Sequence, residues 1–372
     1  MAKSAMRIGL DLEQSSIAAV QVKGTKSTQV LTAVAVRTLP EGLIFEGEVV
    51  NVEGLAQQLK SFWKESGLAG KRFSLGLANQ KIVVRTMTFP LIDEKELRAA
   101  VEFQAQEAIP MPVEEAILDY QVLGVVAGED GTMRQKILLV AAQRDMINQF
   151  VEVAKEAGLS IDGIDLRAFA LSRALEPPGA FIDQGSPTDG VEATAIVNIG
   201  TAISDLVVVV NGAPQFTRVI NLGCAALTEV LVANRGVSYE EAEILRTTIG
   251  LSGEGQEEIE GYEPITVREV HEVLDTACEA AGEAFSDEIR RSIDYYHTQE
   301  HEGQIAKLRI TGEGSLTRNV ALYLTQALHL PVEQGDPLRR IGANKSKLTQ
   351  TQLQSLGPRL AIAIGLALDD EV

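Results

Sequence analysis

Alternating apolar and polar residues predict three short strands at the start of the chain, at 7–12, 16–23 and 28–38. A helix is expected at 53–66, because apolar residues recur there at three- and four-residue intervals and Gly67 follows as a helix stop. Strands and helices that alternate in this way are typical of a mixed α/β protein.

The stretch that follows predicts a second group of strands and two helices. Asp93-x-x-Glu96 is an Asp version of the capping box, and the helix that it begins is expected to end at Pro110. Asp145 is expected to cap the second helix, which Gly158 closes. The strands predicted in this stretch are 72–78, 81–89, 117–126 and 133–142.

Residues 177–191 are rich in Pro, Gly, Ser and Asp, and they are the best candidate for a linker. After them, the dipeptide Asn211-Gly212 predicts a tight hairpin between two apolar strands. The remaining predicted elements are strands at 193–199, 203–210, 213–221 and 307–311, a helix at 316–329 and a final helix after Pro358.

Two further capping boxes predict helix starts in the second half. They are Ser238-x-x-Glu241 and Thr266-x-x-Glu269. The helix that begins at the second box is expected to run to about residue 298.

An internal repeat lies across the candidate linker. Residues 9–22 and 196–210 share one plan, in which a strand carries Asp or Asn near its end and a small polar turn leads into a second apolar strand. Asp11 and Asn198 hold the corresponding positions. A duplication on this scale indicates two similar domains that face one cleft. The length of 372 residues agrees with this, since a single core rarely grows past ~250–300 residues.

The net charge of −19 narrows the range of partners. Nucleic acid and anionic lipid are not expected to bind, because both need a basic surface. Two cysteines and four histidines give little support for a metal centre. The sequence shows no secretory signal and no apolar run of ~18 residues, so we expect no direct membrane insertion.

Three small-residue turns are candidates for phosphate binding, because such sites need backbone N–H groups that an anion can approach closely. They lie at 11–16, 198–201 and 310–316, and the third joins a strand to a helix start. Each turn could equally be an ordinary connection. The candidate cofactor-binding residues on these turns are Asp11, Gln14, Ser15, Ser16, Asn198, Gly200, Thr201, Gly312, Gly314 and Ser315.

The order of these turns resembles the phosphate-1, phosphate-2 and adenosine motifs of the actin-like ATPase superfamily. Residues 87–124 resemble the type IV pilus assembly PilM family more specifically, with an acidic helix, an Ile-Pro-x-Pro turn and an Asp-Tyr-Gln-Val strand. Residues 139–175, 214–228 and 238–246 match later segments of that family. The resemblance covers nearly the whole chain.

The resemblance implies an α/β, actin-like (ribonuclease H-like) duplicated two-domain fold with an FtsA-type extra subdomain. The implied divisions are 1–85 for the first part of subdomain 1A, 86–158 for the extra subdomain 1C, 159–190 for the rest of 1A and the linker, 191–235 for 2A, 236–305 for 2B, 306–352 for the rest of 2A and 353–372 for a C-terminal helix that returns to 1A.

The resemblance also implies a scaffold on the cytoplasmic side of the inner membrane. It would bind the short N-terminal peptide of a PilN-like inner-membrane protein, contact other pilus platform or motor proteins, and hold ATP with Mg²⁺ with little hydrolysis. Gly223 and the pair Glu243 and Arg246 would lie near the nucleotide. That pair could equally form a surface salt bridge. The residues expected to bind the partner peptide are Leu97, Val101, Phe103, Ile109 and Met111.

Three residues depart from the family pattern, which usually has Gly, Asp and Gly where this chain has Glu13, Asn198 and Glu313. A carboxylate at a phosphate turn would repel the ligand, by about 4 kcal/mol for two charges ~4 Å apart at an effective dielectric of 20. Asn198 lacks a charge that could order Mg²⁺-bound water, and Glu313 would crowd the nucleoside. Hydrolysis is therefore not expected.

Two other functions remain open from the sequence. One is an active ATPase or kinase on the same fold, for which Asp205 is a candidate catalytic residue, although a turn or edge position is expected for it. The other is an FtsA-like division protein, against which the acidic C-terminal residues 368–372 argue.

Overall fold

The computed structural model describes residues 5–25, 28–128, 131–176, 192–253, 258–278, 283–299 and 303–368. Its strands are β1 Ala5–Leu12, β2 Ser16–Thr25, β3 Thr28–Thr38, β4 Ile44–Phe45, β5 Glu48–Val49, β6 Arg72–Leu77, β7 Val83–Pro90, β8 Ala116–Ala127, β9 Met133–Gln143, β10 Ser160–Leu166, β11 Glu192–Ile199, β12 Ser204–Val210, β13 Ala213–Ile220, β14 Gln304–Thr311, β15 Val332–Gln334 and β16 Ala343–Asn344. Its α-helices are α1 Val52–Ser66, α2 Glu94–Ala108, α3 Arg144–Glu156, α4 Arg167–Leu175, α5 Ala225–Arg235, α6 Tyr239–Thr248, α7 Pro264–Ala277, α8 Glu283–Thr298, α9 Val320–Leu328, α10 Gln350–Leu356 and α11 Ala361–Ala367.

Two sheets share one topology. The first has the order β10-β6-β1-β2-β3-β16, and the second has the order β13-β12-β11-β14-β15. In each, an antiparallel three-stranded meander is extended by two parallel strands beside its first strand. The repeat predicted from residues 9–22 and 196–210 is therefore a duplication of the whole sheet, and the predicted actin-like α/β fold is confirmed.

The strand register places the two polar residues of the repeat at equivalent points. Asp11 is near the end of β1, opposite Ala18 of β2 and Gly76 of β6. Asn198 is near the end of β11, opposite Asp205 of β12 and Thr311 of β14. Because the carboxyl ends of these strands meet the connecting turns, both residues lie at the edge where a cleft can form.

Two helices pack between the sheets. All residues of α11 are buried, and α11 contacts α4, β1 and β2, while α4 also contacts β12. Their packing is close, because a Cβ on Gly365 of α11 would overlap the backbone of Ala170 in α4, and a Cβ on Gly9 of β1 would overlap the backbone of Ala363. The glycines therefore let two helices and a strand pack with their backbones in direct contact.

The extra subdomain is a three-stranded antiparallel sheet, in the order β7-β9-β8, covered by α2. Alternate residues of β9, Ile137 and Leu139 among them, pack against Leu97 and Val101 of α2. The helix α3 packs instead with α1 and the core of the first sheet. The core of the extra subdomain therefore ends with β9, and the predicted boundary at 158 includes a helix that packs elsewhere.

Several predicted boundaries need correction. Asp145 lies in the first turn of α3 rather than at its cap, which is Gln143. Thr266 lies inside α7, which begins with Pro264 at its first turn, a position where the missing proline N–H costs nothing. The chain at 316–329 begins as a 3₁₀ turn, and α9 starts only at Val320. The candidate linker 177–191 lies outside the described residues, as do 279–282, so the helix predicted to reach 298 is described as α7 and α8.

Ser238 caps α6 as predicted, since its side chain accepts a hydrogen bond from the Glu241 N–H. Asn211 and Gly212 join β12 to β13 with positive φ angles, as a tight hairpin needs. None of the helices in the described part of the chain has the length and apolar content that a membrane span needs.

Candidate functional site

Three turns come together at the carboxyl ends of the central strands. The turn after β1 reaches the turn after β11, where the Thr201 N–H lies 3.4 Å from Oε2 of Glu13. The turn after β14 packs on the same β11 turn, because a Cβ on Gly312 would lie 2.6 Å from Oδ1 of Asn198. The fold therefore brings together the three turns that the sequence singled out.

The centre of this cleft is a buried arginine, Arg167, at the first position of α4. Its Nη2 contacts Oε1 of Glu13 closely, and its Nε lies 3.4 Å from Oδ1 of Asp11 and 3.2 Å from Oδ2 of Asp205. Arg167, Asp11 and Asp205 are almost completely excluded from water. Three carboxylates, one of them from the second sheet, therefore surround one guanidinium.

This excess of acid changes the protonation of the carboxyls. Burial raises the pKa of Asp11 to about 7, against the lowering effect of Arg167, and the neighbouring Glu13 and Asp205 add to the rise. Burial likewise raises the pKa of Asp205, opposed by Arg167 and by a 3.4 Å hydrogen bond from Asn198. Burial lowers the pKa of Arg167, but the three carboxylates outweigh it and keep the guanidinium charged.

Asp205 is in the second strand of the second sheet, paired on both sides and 1% exposed. The expected turn or edge position for this residue was therefore wrong. Its partner across β11 is Asn198, which donates a hydrogen bond to it. Asn198 therefore lies directly beside a carboxylate that the neighbouring strand supplies.

The backbone of the first turn is held by its own hydrogen bonds. The Glu13 N–H donates to the carbonyl of Ser16 at 2.9 Å, and the Leu39 N–H donates to the carbonyl of Ser15 at 2.7 Å. Gln14 lines a cavity of only about 10 Å³ beside Glu13 and Arg167. Gln14 therefore lies at the cleft, and the cavity beside it offers very little free volume.

The second turn uses its carbonyls to start a helix. The carbonyls of Gly200 and Thr201 accept hydrogen bonds from the N–H groups of Cys224 and Ala225, at 3.0 and 2.9 Å. Gly223 lies so close that a Cβ there would overlap the Thr201 carbonyl. The small residues here serve contacts between parts of the chain, and the first N–H groups of α5 already have partners.

The third turn is packed in a similar way. A Cβ on Gly314 would overlap the side chain of Ile199. The hydroxyl of Ser315 donates to the Gly312 carbonyl and accepts from Gln334, both at 2.8 Å. Gly312, Gly314 and Ser315 are thus in the cleft as predicted, and other residues of the protein pack directly against them.

Glu313 forms an ion-pair centre, which corrects the expectation that it would only crowd a ligand. Its carboxylate accepts from Arg359 at 2.7 Å and lies 3.3 Å from Nη2 of Arg246. Arg246 is completely buried and also donates to Thr317 at 2.6 Å and to Thr228 at 3.2 Å. A surface salt bridge between Glu243 and Arg246 is therefore the wrong alternative. Glu243 is nearby, and its pKa is raised by burial and by Glu313.

These residues do not fit Mg²⁺ and ATP as they are arranged. The carboxylates that could hold a metal face Arg167, and within the described ranges no group of three His, Cys, Asp or Glu is placed to bind a metal ion. The Glu13 carboxylate is at the N–H that a phosphate would use. A nucleotide would have to displace these internal contacts.

Sequence reasoning missed Arg167 and Arg359. Neither belongs to the three turns singled out in the sequence, and both reach the cleft through contacts with residues far away in the chain. The one available signal was charge balance, since Glu13 and Glu313 are acids at positions where burial would demand a cation.

A second candidate site is a groove of about 1270 Å³ beside the extra subdomain. We call it the β9 groove, because alternate residues of β9 such as Leu138 and Val140 form one wall. The helix α3 contributes Val151 and Ala154, and α4 contributes Phe169. The hairpin turn 211–214 of the second sheet closes one end. The groove is larger than the ~300–1,000 Å³ of ordinary small-molecule pockets.

The residues predicted to bind a peptide are not in this groove. Leu97, Val101 and Ile109 are buried in the core of the extra subdomain, and Met111 packs against it. Only Phe103 is prominent at the surface, with 73% of it exposed. The alternative in which this helix packs its own subdomain therefore describes four of the five side chains.

Duplicated sheets, two helices packed between them and three turns that meet in one cleft define a protein of the actin-like class. Within that class, the chain belongs to the type IV pilus assembly protein PilM family, whose sequence model matches residues 9–371.

Solved structures agree with this fold. The chain is similar to a PilM-PilN type IV pilus biogenesis complex with 24% identity and a TM-score of 0.78, over 98% of each chain. It is also similar to the ethanolamine utilization protein EutJ from Carboxydothermus hydrogenoformans, with 14% identity and a TM-score of 0.55 over 98% of this chain and 89% of the other. For MreB5 of Spiroplasma citri bound to AMPPNP, the values are 14% and 0.50, over 97% and 94%.

Proposed function

We propose that this chain is the actin-like scaffold of a type IV pilus or related secretion machine, and that it binds the N-terminal peptide of a PilN-like inner-membrane protein in the β9 groove. Membership of the PilM family supports the scaffold role. The similar PilM-PilN complex supports this kind of partner. Such docking would keep the chain on the cytoplasmic face of the membrane.

The observation that carries the docking proposal is the shape and lining of the β9 groove. Apolar side chains of β8, β9, α3 and α4 form much of its lining, and β8 is an edge strand of the three-stranded sheet. Edge strands offer backbone N–H and C=O groups to an added peptide, while alternate pockets select its side chains. An extended apolar peptide therefore fits this groove better than a compact metabolite.

The charges of the groove are balanced. Three carboxylates, on Asp119, Asp162 and Asp165, share the lining with the cations Lys155, Arg173 and Arg340. Asp165 and Arg173 are paired with each other. The partner peptide is therefore expected to be held by its apolar residues, with charge acting mainly on the association rate.

Calorimetry with the N-terminal peptide of the neighbouring membrane protein tests this proposal. Val151→Asp introduces a charge at a half-exposed position that lines the groove, and it should weaken binding at least about tenfold. Ile265→Asp is the matched control, because Ile265 on α7 has 44% exposure against 46% for Val151 and does not line the groove. Loss of binding in Phe103→Ala, with full binding in Val151→Asp, would move the docking site to α2.

We propose in addition that the chain has no significant ATP turnover, and that any ATP binds weakly. The reason is that Glu13 already contacts the N–H at the phosphate turn, and Arg167 already pairs with the acids that could hold a metal. A phosphate-release assay should give a rate that does not differ from the rate without protein. A turnover that Asp11→Asn abolishes would contradict this part of the proposal and favour the ATPase alternative.

A further inference from the structure

The side chain of Glu13 makes contacts that a bound anion would make. Its carboxylate contacts the buried guanidinium of Arg167 and lies 3.4 Å from the Thr201 N–H, in the turn between β11 and β12. It also lies beside Gly200, where a Cβ would be 3.1 Å from Oε1 of Glu13. A backbone N–H in a glycine turn, facing an arginine, is a recognised arrangement for holding phosphate or carboxylate groups.

Arg167 in turn lies where a cation is needed. Oδ1 of Asp11 and Nε of Arg167 are buried and have no aligned hydrogen-bond partner, so they interact through charge at 3.4 Å. Asp205 approaches the same Nε from the other sheet. Without the guanidinium, two buried carboxylates from the two halves of the molecule would face each other at a high cost.

We propose that Glu13 is a resident anion and Arg167 a resident cation, which together occupy the positions of a ligand's phosphate and its counter-ion. The two domains are then held together without a nucleotide. Asp11 is in β1, Glu13 is in the turn after it and Arg167 begins α4. Thr201 is in the turn after β11, and Asp205 is in β12 of the second sheet. The contacts at 3.4 Å from Thr201 and 3.2 Å from Asp205 therefore cross the cleft.

The same arrangement occurs a second time at the third turn. Glu313 pairs with Arg359, at the start of the segment that leads into α11, and with Arg246 of the helix α6. Both acidic residues that depart from the family pattern thus have buried or half-buried arginines as partners. The carboxylates of Glu13 and Glu313 therefore stabilise contacts between parts of the chain and are not isolated repulsive charges.

The proposal predicts that removal of the Glu13 carboxylate opens a site for small anions. In Glu13→Ala, the Thr201 N–H and Arg167 lose their acceptor, and acetate, inorganic phosphate or pyrophosphate can replace it. The midpoint temperature of thermal unfolding of the full chain should then be a few degrees higher in acetate or phosphate than in chloride at the same ionic strength. Calorimetry should give an affinity for pyrophosphate at least about tenfold above that of the wild type.

The matched control is Glu65→Ala. Glu65 also pairs with an arginine, Arg37, but it is at the surface and 68% of its side chain is exposed. Neither the wild type nor Glu65→Ala should respond to acetate or phosphate beyond the chloride effect. A folded Glu13→Ala protein that responds to anions no more than the wild type does would overturn the proposal.

Glu13→Gln keeps the proposal testable if the alanine variant does not fold. The amide fills the same space but carries no charge. The variant should therefore bind pyrophosphate more tightly than the wild type does, because the repulsion between one carboxylate and the ligand is removed. Equal affinities in the two proteins would also overturn the proposal. No arm of the experiment uses the partner peptide, so its result is independent of the docking proposal.

Discussion

At the centre of the cleft, the guanidinium of Arg167 is surrounded by three carboxylates and excluded from water. Removal of one partner from such a group leaves an uncompensated buried charge, which typically costs about 3–5 kcal/mol. The sequence placed Asp11 and Glu13 at this position through the repeated strand plan. It could not show Arg167, because that contact depends on how α4 crosses the first sheet.

The raised pKa of Asp11 predicts a particular pH dependence of stability. Its pKa in the folded protein, about 7, is above the ordinary value near 4, so its contribution is fully present below that ordinary value and is lost as the pH rises through 7. The free energy of unfolding should therefore fall between about pH 4 and pH 7. In Asp11→Asn this part of the fall should be absent, a difference of roughly 1–4 kcal/mol between the ends of the range.

Urea unfolding at several pH values measures this effect. Asp162→Asn is the control, because Asp162 forms an exposed ion pair with Arg72 and is not one of the acids around Arg167. If the Asp11→Asn curve is parallel to the wild type, the buried acid cluster does not titrate as described.

At the scale of elements, strands and helices were predicted well where a single period runs along the chain. The meanders, the hairpin at Asn211-Gly212 and the helix α2 with its Asp93 cap are all present. Helix starts were wrong at Asp145 and Thr266, since a capping pattern within a helix looks the same as one at its start. The helix α4 was not predicted, because it is buried on nearly all sides and shows no polar face.

The packing of α11 on α4 gives a prediction at this scale. Gly365→Ala would gain about 1 kcal/mol of helix propensity, but its Cβ would overlap the carbonyl of Ala170. Overpacking of this kind costs about 1–3 kcal/mol, so the net effect in urea unfolding should be destabilising, by up to about 2 kcal/mol.

Gly357→Ala is the control for that experiment. Gly357 has helical backbone angles and space for a Cβ, with the nearest atom of Leu338 at 3.5 Å, so the change should be neutral or slightly stabilising. If Gly365→Ala changed the free energy of unfolding no more than Gly357→Ala does, the backbones of α4 and α11 would not be in direct contact.

At the scale of the whole molecule, the duplicated fold and the family could be inferred from the repeat and from residues 87–124. The three turns also met as expected. The structure shows Leu97, Val101 and Ile109 inside the core of the extra subdomain. The sequence could not show this, because alternating strands and amphipathic helices each have an apolar face and only the fold decides which is covered. The β9 groove exists because β9 is apolar on both faces, and α2 covers just one of them.

The most direct test of the docking proposal is site-specific photo-crosslinking in cells that carry the pilus machinery. A photoreactive residue at Val151, in the β9 groove, should crosslink to the N-terminal segment of the PilN-like membrane protein. The same residue at Ile265, on α7 outside the groove and similarly exposed, should not. A crosslink to that segment from Phe103, with none from Val151, would contradict the account.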